Sequence, residues 1–303
     1  MASVLAFLSG DPARAAEGGF SFYLPGLAGD IAFAQSTEPG SLQVANTVFV
    51  QNGDAGAAVL QGRVNSDLDL TFVLDIISAS YTFEREILGA RYSIGGAIPF
   101  GHAKLEATIT VPGIGSRGGD RDDFDLADIA IVPLELTWDI DDFSIQLGQA
   151  IYAPTGGYDE DEVVNLGLNH WGFDTTLAVT YLNEDTGTEF SVAPGILVNT
   201  KNEETKYRTG DEFHLDFTAN QFLAESFAIG IRGYYYRQIN GDSGRGAILG
   251  DFEGESVAIG PGFAWFPKFA GGKLAILAKW MRDLTNTNRF DSDFGTVTIA
   301  WTF

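Results

Sequence analysis

The chain is dominated by segments in which apolar and polar residues alternate with a period of two. In the last segment, Val297, Ile299 and Trp301 alternate with Thr and Ala. The same alternation recurs in 226–239 and 272–284, and no apolar stripe of helical period reaches a comparable length. Because successive side chains of a strand point to opposite faces of a sheet, this period predicts an all-β protein.

The spacing of these segments predicts a transmembrane antiparallel up-and-down β-barrel of twelve strands, with fourteen as the alternative. After the first strand the gaps alternate between long and short without exception. A soluble sandwich gives no reason for this alternation, whereas an outer-membrane barrel has short periplasmic turns and long extracellular loops. The predicted strands are 42–52, 67–82, 87–111, 127–138, 142–152, 171–182, 187–199, 211–219, 226–239, 254–266, 272–284 and 294–303.

The segment 87–111 decides the parity of the strand count. Splitting it at Pro99-Phe100-Gly101 gives thirteen strands and places the two chain ends on opposite sides of the membrane. We therefore predict one long strand, with a bulge at Pro99–Gly101, where Pro and Gly are tolerated.

The aromatic residues and the C-terminus agree with this topology. Bacterial outer-membrane barrels carry aromatic girdles at both membrane–water boundaries, and the chain closes with Phe303, which resembles their terminal signature. All five Trp lie at or near predicted strand ends: Trp138, Trp171, Trp265, Trp280 and Trp301.

The N-terminal region divides into two predicted segments before the barrel domain of 42–303. Residues 1–15 are predicted to be the remnant of a signal peptide, because an apolar stretch is followed by Ala13-Arg14-Ala15, although an ordinary disordered N-terminus is the alternative. Residues 16–41 are predicted to be periplasmic, where they either plug the lumen from below or lie loosely beneath it.

Composition narrows the function classes. The chain of 303 residues has 41 acidic and 18 basic residues, which gives a net charge of −23. Affinity for nucleic acid depends on Lys and Arg, so a nucleic-acid partner is not expected. There is no Cys, which excludes disulfides and Cys-ligated metals. No uncharged stretch reaches 18 residues, so spanning helices are not expected.

Short motifs rich in Tyr, Gly, Pro and Asn follow one another along the chain. They are FYLPG at 22–26, YAPTGGY at 152–158, NLGLNHW at 165–171, Thr180-Tyr181, Asn199, Asn202, Thr205, Tyr207, Gly210, His214, Asp216, GYYY at 233–236, Gln238, Asp242 and IGP at 259–261. In this order they resemble the phenol-degradation MetA-pathway family of outer-membrane β-barrel proteins. The resemblance covers roughly residues 20–303 and is most specific at 152–171 and 196–216. It implies a transport-type barrel near genes of aromatic catabolism.

If apolar side chains face lipid, the residues between them face the lumen. This rule places tyrosines beside an arginine and a carboxylate, which offer apolar faces and polar anchors to a small aromatic solute. The alternative is a hydrogen-bonded network that only fills a narrow barrel. The candidate lumen residues are Arg91, His214, Asp216, Arg232, Tyr234, Tyr236 and Gln238, with further inward positions at Asp69, Asp75, Glu135, Asp174, Lys273 and Lys279.

The predicted outer loops supply two further candidates. The loop 154–171 is dense in Pro, Gly and Asn, which set defined turns. It is either a gate folded into the mouth or only a structural loop. Its candidate residues are Pro154, Thr155, Gly156, Tyr158, Asn169 and Trp171. The acidic runs at 120–125 and 159–162 are more typical of a solvated surface than of a divalent-cation site, so no metal is assigned.

No catalytic residue and no cofactor is predicted. The tetrapeptide Gly241-Asp242-Ser243-Gly244 matches a serine-protease nucleophile, but no protease organisation surrounds it. A lipid-acting barrel enzyme needs a Ser–His pair facing lipid, and none of the three His has an obvious outward Ser partner.

The leading hypothesis is therefore an outer-membrane channel for passive uptake of small hydrophobic or aromatic molecules. The alternative is a structural or adhesion-type barrel with a closed lumen, and a lipid-acting enzyme is third. The expected surroundings are bacterial outer-membrane lipid and lipopolysaccharide, and a monomer is favoured.

Overall fold

A computed structural model describes residues 20–27, 31–59, 64–111, 115–160, 162, 164–247 and 253–303. The predicted signal peptide remnant at 1–15 lies outside these residues. Within them the chain forms fifteen strands and a 3₁₀ turn at Lys268–Ala270. The strands are β1 (Leu42–Val59), β2 (Val64–Ile87), β3 (Ala90–Val111), β4 (Gly115–Leu126), β5 (Ile129–Ile140), β6 (Phe143–Ala153), β7 (Gly172–Asn183), β8 (Thr188–Asn199), β9 (Tyr207–Arg208), β10 (Glu212–Ala224), β11 (Phe227–Gln238), β12 (Ser243–Gly244), β13 (Glu255–Trp265), β14 (Leu274–Thr287) and β15 (Asp291–Thr302).

Twelve strands of the described chain close into one antiparallel barrel. β1 pairs with β15, from Gln43 opposite Thr302 to Asp54 opposite Asp291. β2 pairs with both β1 and β3, so the order continues around the wall without a free edge. β4 extends the β3 hairpin, and β9 and β12 form a separate two-stranded ribbon in the loops. The predicted twelve-stranded count is confirmed.

The outer surface of the barrel is apolar along most of its wall. Side chains such as Ile231, Val297 and Ile299 are about half exposed, and Trp280 and Trp171 stand among them. A closed barrel satisfies every backbone group internally, which is what a sheet needs to cross a bilayer. An apolar band around an up-and-down barrel is typical of bacterial outer-membrane proteins. We therefore place the protein in the bacterial outer membrane.

Helices play no comparable part. None in the described residues has the length and hydropathy that crossing a membrane requires.

The long strand predicted at 87–111 is confirmed as a single strand, but Pro99 marks a change of partner rather than a bulge. β3 pairs with β5 over Arg91–Ala97 and with β4 over Phe100–Val111. The Pro99 carbonyl accepts a hydrogen bond from the Ala127 N–H. Because the nitrogen and the carbonyl of a strand residue point to the same side, the Pro99 nitrogen, which carries no hydrogen, also faces the side on which the partner strand changes. The irregularities in register lie instead near the start of β3, between Ser93 and Gly95 against β5 and opposite Thr82–Glu86 of β2.

Two of the predicted long loops are strands in the structure. β1 and β2 pair up to Val59 and Val64, and β4 occupies most of 112–126. The prediction failed because apolar alternation ends at the membrane boundary. Backbone pairing of a hairpin needs no apolar side chains and continues into water.

β2 reverses the rule that apolar side chains face outward. Leu70, Phe72 and Leu74 are buried inside the barrel, while Asp69 is exposed on the outside. Asp75 also lies on the outer face, where it accepts a hydrogen bond from Asn46. The predicted inward positions of Asp69 and Asp75 are therefore wrong. The inner face of β2 packs against the N-terminal segment, which supplies the apolar partners that lipid supplies elsewhere.

Candidate solute site in the barrel lumen

The lumen is polar on the side formed by β7 to β15. His214 on β10 lies between two carboxylates, with Nε2 3.0 Å from Asp174 Oδ1 and Nδ1 3.6 Å from Asp216 Oδ2. Gly195 on the neighbouring strand makes room for the ring, because a Cβ there would lie 2.2 Å from its Cε1. All three polar side chains are buried.

Six of the seven candidate lumen residues meet in this half of the barrel and are almost completely buried. Arg232 donates to Asn220, the Tyr234 hydroxyl donates to Asp283 at 2.7 Å, and Gln238 Nε2 donates to Asp242 at 2.5 Å. Arg91 is separate from them. It lies near the turn between β2 and β3 and pairs with Asp139. These contacts form a structural network within the wall, and of the seven residues only His214 also borders the main cavity described below.

The N-terminal segment 20–27 lies inside the lumen and docks on this network. The Tyr23 ring stacks on His214 with centroids 4.4 Å apart and on Tyr236 at 5.8 Å. Its hydroxyl donates to both Asp216 oxygens at 3.1 and 3.2 Å. Burial and the Asp216 carboxylate raise the pKa of Tyr23, so the hydroxyl keeps its proton and remains a donor.

The residues on either side of Tyr23 add further contacts. Phe22 stacks on Tyr152 at 4.8 Å and meets His170 edge-on at 4.8 Å. The Ser21 hydroxyl donates to Glu212. Gly172 allows this fit, because a Cβ at that position would lie 2.5 Å from the Phe22 ring.

Further along, the segment follows the same wall. The Gly26 carbonyl accepts from Lys279 on β14. The backbone N–H groups of Ala32 and Ala34 donate to Glu189 at 3.1 Å and to Thr180 at 3.0 Å. The described part of 16–41 therefore occupies the lumen over much of its height, held by polar bonds to β7, β8 and β14.

Asp128, between β4 and β5, fixes both ends of the loop 154–170. Its two carboxylate oxygens accept from the N–H groups of Thr155 and Gly156, each at 2.8 Å, and of Leu168 at 2.6 Å. Burial raises the pKa of Asp128, and these three donors act against that rise. Gly156 and Gly167 also touch, since a Cβ on Gly156 would lie 2.7 Å from the Gly167 Cα.

The middle of this loop turns into the barrel mouth. Val164 and Leu166 are buried in the cluster that includes Phe22 and Phe72. Asn169 has a φ of 53° and donates to Asn202 at 3.2 Å, and Asn202 in turn donates to the Tyr158 hydroxyl at 2.9 Å. Trp171 points away from the lumen and is 44% exposed. Pro154 and Thr155 stay at the rim, where Thr155 Oγ1 accepts from the Ile129 N–H.

A cavity of about 310 Å³ remains between the N-terminal segment and the opposite wall. Apolar side chains form most of its lining, including Phe72 and Leu74 of β2 and Leu166 of the inward loop. Its charged lining residues are Asp128, Glu135, Asp174 and His214. The volume lies at the lower end of the range of small-molecule sites, about 300–1,000 Å³.

The described part of the acidic runs assembles no metal site. Residues 120–125 belong to β4, where Asp122 contacts His102 at 3.5 Å. Within the described residues there is no group of three or more acidic or His side chains that could hold an ion.

The family comparison agrees with the geometry. A family model described as "Putative MetA-pathway of phenol degradation" matches residues 49–299, most of the chain. The chain belongs to this family. No curated protein matches its sequence.

Solved structures agree with the fold. An outer membrane channel from Pseudomonas putida F1 is 14% identical, with a TM-score of 0.71 over 89% of this chain and 98% of that one. At this identity the similarity shows the fold. Two further structures are less similar. The β domain of the Bordetella autotransporter BrkA is 13% identical, with a TM-score of 0.44 over 87% of this chain and 100% of that one, and the transport unit of Escherichia coli AIDA-I is 10% identical, with a TM-score of 0.44 over 87% and 90%.

Sequence reasoning did not identify three features of the site. Asp128 gave no signal beyond one acidic residue before a strand. The FYLPG motif stands out in the sequence, but alternation does not show that it docks on the His214 network. The apolar inner face of β2 is assigned to lipid by the sequence, because alternation shows that the two faces of a strand differ but not which of them meets lipid.

Proposed function

We propose that this protein is a passive outer-membrane channel for small hydrophobic or aromatic molecules. The observation that supports the proposal is the uneven filling of the lumen. The side of β7 to β15 is occupied by the polar network and the N-terminal segment, while the side of β2, β3, β5 and β6 retains the 310 Å³ cavity. A barrel that served only as a scaffold has no need for a lined cavity.

The lining fits a planar, mostly apolar solute. Phe20, Phe22 and Tyr152 supply aromatic faces, and Gln146 supplies an amide group for hydrogen bonds. Such a combination of apolar surface and few polar groups is typical of small-molecule sites. The family description, which refers to phenol degradation, supports a phenolic solute as the first to test.

Enzymatic function is not part of this proposal. Ser243 of the GDSG tetrapeptide is exposed on β12, opposite Arg208. His170 is engaged by the Leu168 carbonyl and Asn199, His214 by its two carboxylates, and His102 faces Asp122. These contacts give no His a serine nucleophile to activate.

Proteoliposomes provide the direct test. Entry of a phenolic solute and of arabinose, a polar sugar, is measured by stopped-flow light scattering and corrected for protein-free liposomes. We expect the barrel to accelerate the phenolic solute more than the sugar. Rates equal to those of protein-free liposomes for both solutes would refute transport, and faster sugar entry would refute the aromatic preference.

A further inference from the structure

Two cavities of the lumen lie end to end along one wall. Besides the 310 Å³ cavity, a second one of about 190 Å³ lies on the inner face of β1, β2, β3 and β5. Its lining contains Gln43, one residue after the start of β1, and Ser80, its partner on β2. The first cavity reaches Asn165 and Leu166 of the outer loop. Together they extend from the outer loop to the level at which β1 begins.

Three residues line both cavities: Ala97, Val132 and Glu135. Ala97 and Val132 are small and apolar, so Glu135 is the only charged group of the three. No protein group within the described chain forms a hydrogen bond or ion pair with its carboxylate. This distinguishes Glu135 from the other acids of the first cavity, since Asp128 accepts three N–H groups and Asp174 contacts His214.

The local backbone leaves space beside Glu135. Gly148 of β6 lies directly opposite it in the register, and a Cβ there would have its nearest neighbour 4.0 Å away. The register of β5 against β6 shifts between Ile131 and Leu134, next to Pro133. The other wall of the second cavity is built from small residues, including Gly95 and Gly96.

We propose that solutes pass through these two cavities, and that Glu135 is the charge filter at their junction, favouring neutral and cationic solutes over anions such as aromatic carboxylates. The inference rests on the proposed channel function and adds its route and its charge preference. An unpaired carboxylate in a narrow space of low dielectric attracts cations and repels anions more strongly than one in open water. Surface acids elsewhere on this strongly acidic chain lie in high dielectric and are screened by salt.

Ion selectivity tests the filter. The purified full chain is reconstituted in planar bilayers, and the reversal potential is measured across a tenfold KCl gradient. We expect cation preference for the wild type, a K⁺/Cl⁻ permeability ratio lower by about twofold or more for Glu135→Gln, and a further change toward Cl⁻ for Glu135→Lys. Glu225→Gln, a highly exposed acid at the turn between β10 and β11, is the matched control and should change nothing.

Thiol labelling tests the route without requiring flux, because the chain has no Cys of its own. We expect single Cys variants at Ala45, Glu135 and Gln146 to react with a water-soluble cationic methanethiosulfonate. Ser191→Cys, buried in the filled half of the lumen, should resist the reagent.

Each result separates the two proposals. Wild-type permeability ratios in both Glu135 variants would overturn the filter, and unreactive Cys at Ala45 and Glu135 would overturn the route. A wild-type barrel that conducts no ions and admits no solute, with all three route positions labelled, would refute the channel function while showing that both cavities are open to water.

Discussion

Removing one oxygen atom, that of the Tyr23 hydroxyl, should weaken the docking of the N-terminal segment in the lumen. Tyr23→Phe keeps the ring stacked on His214 and removes only the hydroxyl that donates to Asp216. Loss of a hydrogen bond to a charged acceptor costs about 1.5–3 kcal/mol. Since 1.4 kcal/mol corresponds to a factor of ten, the ratio of docked to undocked segment should fall about ten- to a hundredfold.

Amide hydrogen exchange measures this change in the folded barrel. The N–H groups of Phe33 and Ala34 donate to the wall at Ser191 and Thr180, so they exchange only when the segment leaves it. We expect their exchange in Tyr23→Phe to accelerate by the same factor, while amides of β10 and β11 keep their protection. The matched control is Tyr235→Phe, which removes a hydroxyl bonded to Glu255 on the exposed outer face.

Equal exchange of 31–34 in Tyr23→Phe and in the wild type would refute this account of docking. If Tyr235→Phe accelerates exchange of 31–34 by the same factor, the effect arises from general loosening of the barrel. In bilayers, Tyr23→Phe should also increase the mean conductance, because an undocked segment leaves more of the lumen open.

Three further substitutions test neighbouring parts of the site. Gly172→Ala places a Cβ 2.5 Å from the Phe22 ring and should accelerate amide exchange of the N-terminal segment. The control Gly119→Ala, which has open space around it, should not, and equal exchange rates in the two variants would contradict the contact. Asp128→Asn leaves at least one of three loop N–H groups without an acceptor, which costs about 1–3 kcal/mol. Limited proteolysis should then cleave 154–170 faster than in the exposed control Asp185→Asn, and unchanged cleavage would show that Asp128 does not fix the loop. His214→Ala removes the imidazole that lies between the buried Asp174 and Asp216 carboxylates, so the thermal midpoint of the barrel should fall by more than it does for His102→Ala near the surface. Equal midpoints would refute a structural role of the network.

The strands could be predicted because each lipid-facing side chain is separated from the next by an inward one. This held for β11 and β15, where Ile231 and Ile299 face outward as expected. It failed for β2, because Phe72 packs on Phe20, with ring centroids 5.5 Å apart, from a segment that enters the lumen. The pattern of a strand shows that its two faces differ, but not which face meets lipid when the lumen also contains apolar side chains.

The site was less predictable than the wall. Alternation brought His214, Asp216 and Tyr236 to one face, and register placed them together. Their function as the dock for Tyr23 depends on a contact across about 190 residues of sequence, which no local pattern encodes. Glu135 was predicted to face inward, but its position between two cavities depends on what fills the rest of the lumen. Such contacts are set by tertiary packing, which sequence periodicity does not contain.

Filling the cavity tests the central claim most directly. Gly148→Trp adds a large side chain to the lumen where a Cβ meets no close neighbour, and Leu177→Trp adds the same ring on the outer face of the adjacent strand as the control. Phenolic solute entry is measured in proteoliposomes for both variants and the wild type. Passage through the cavity predicts that Gly148→Trp abolishes most of the protein-dependent entry and that Leu177→Trp retains it. Wild-type entry rates in a folded Gly148→Trp barrel would contradict the account.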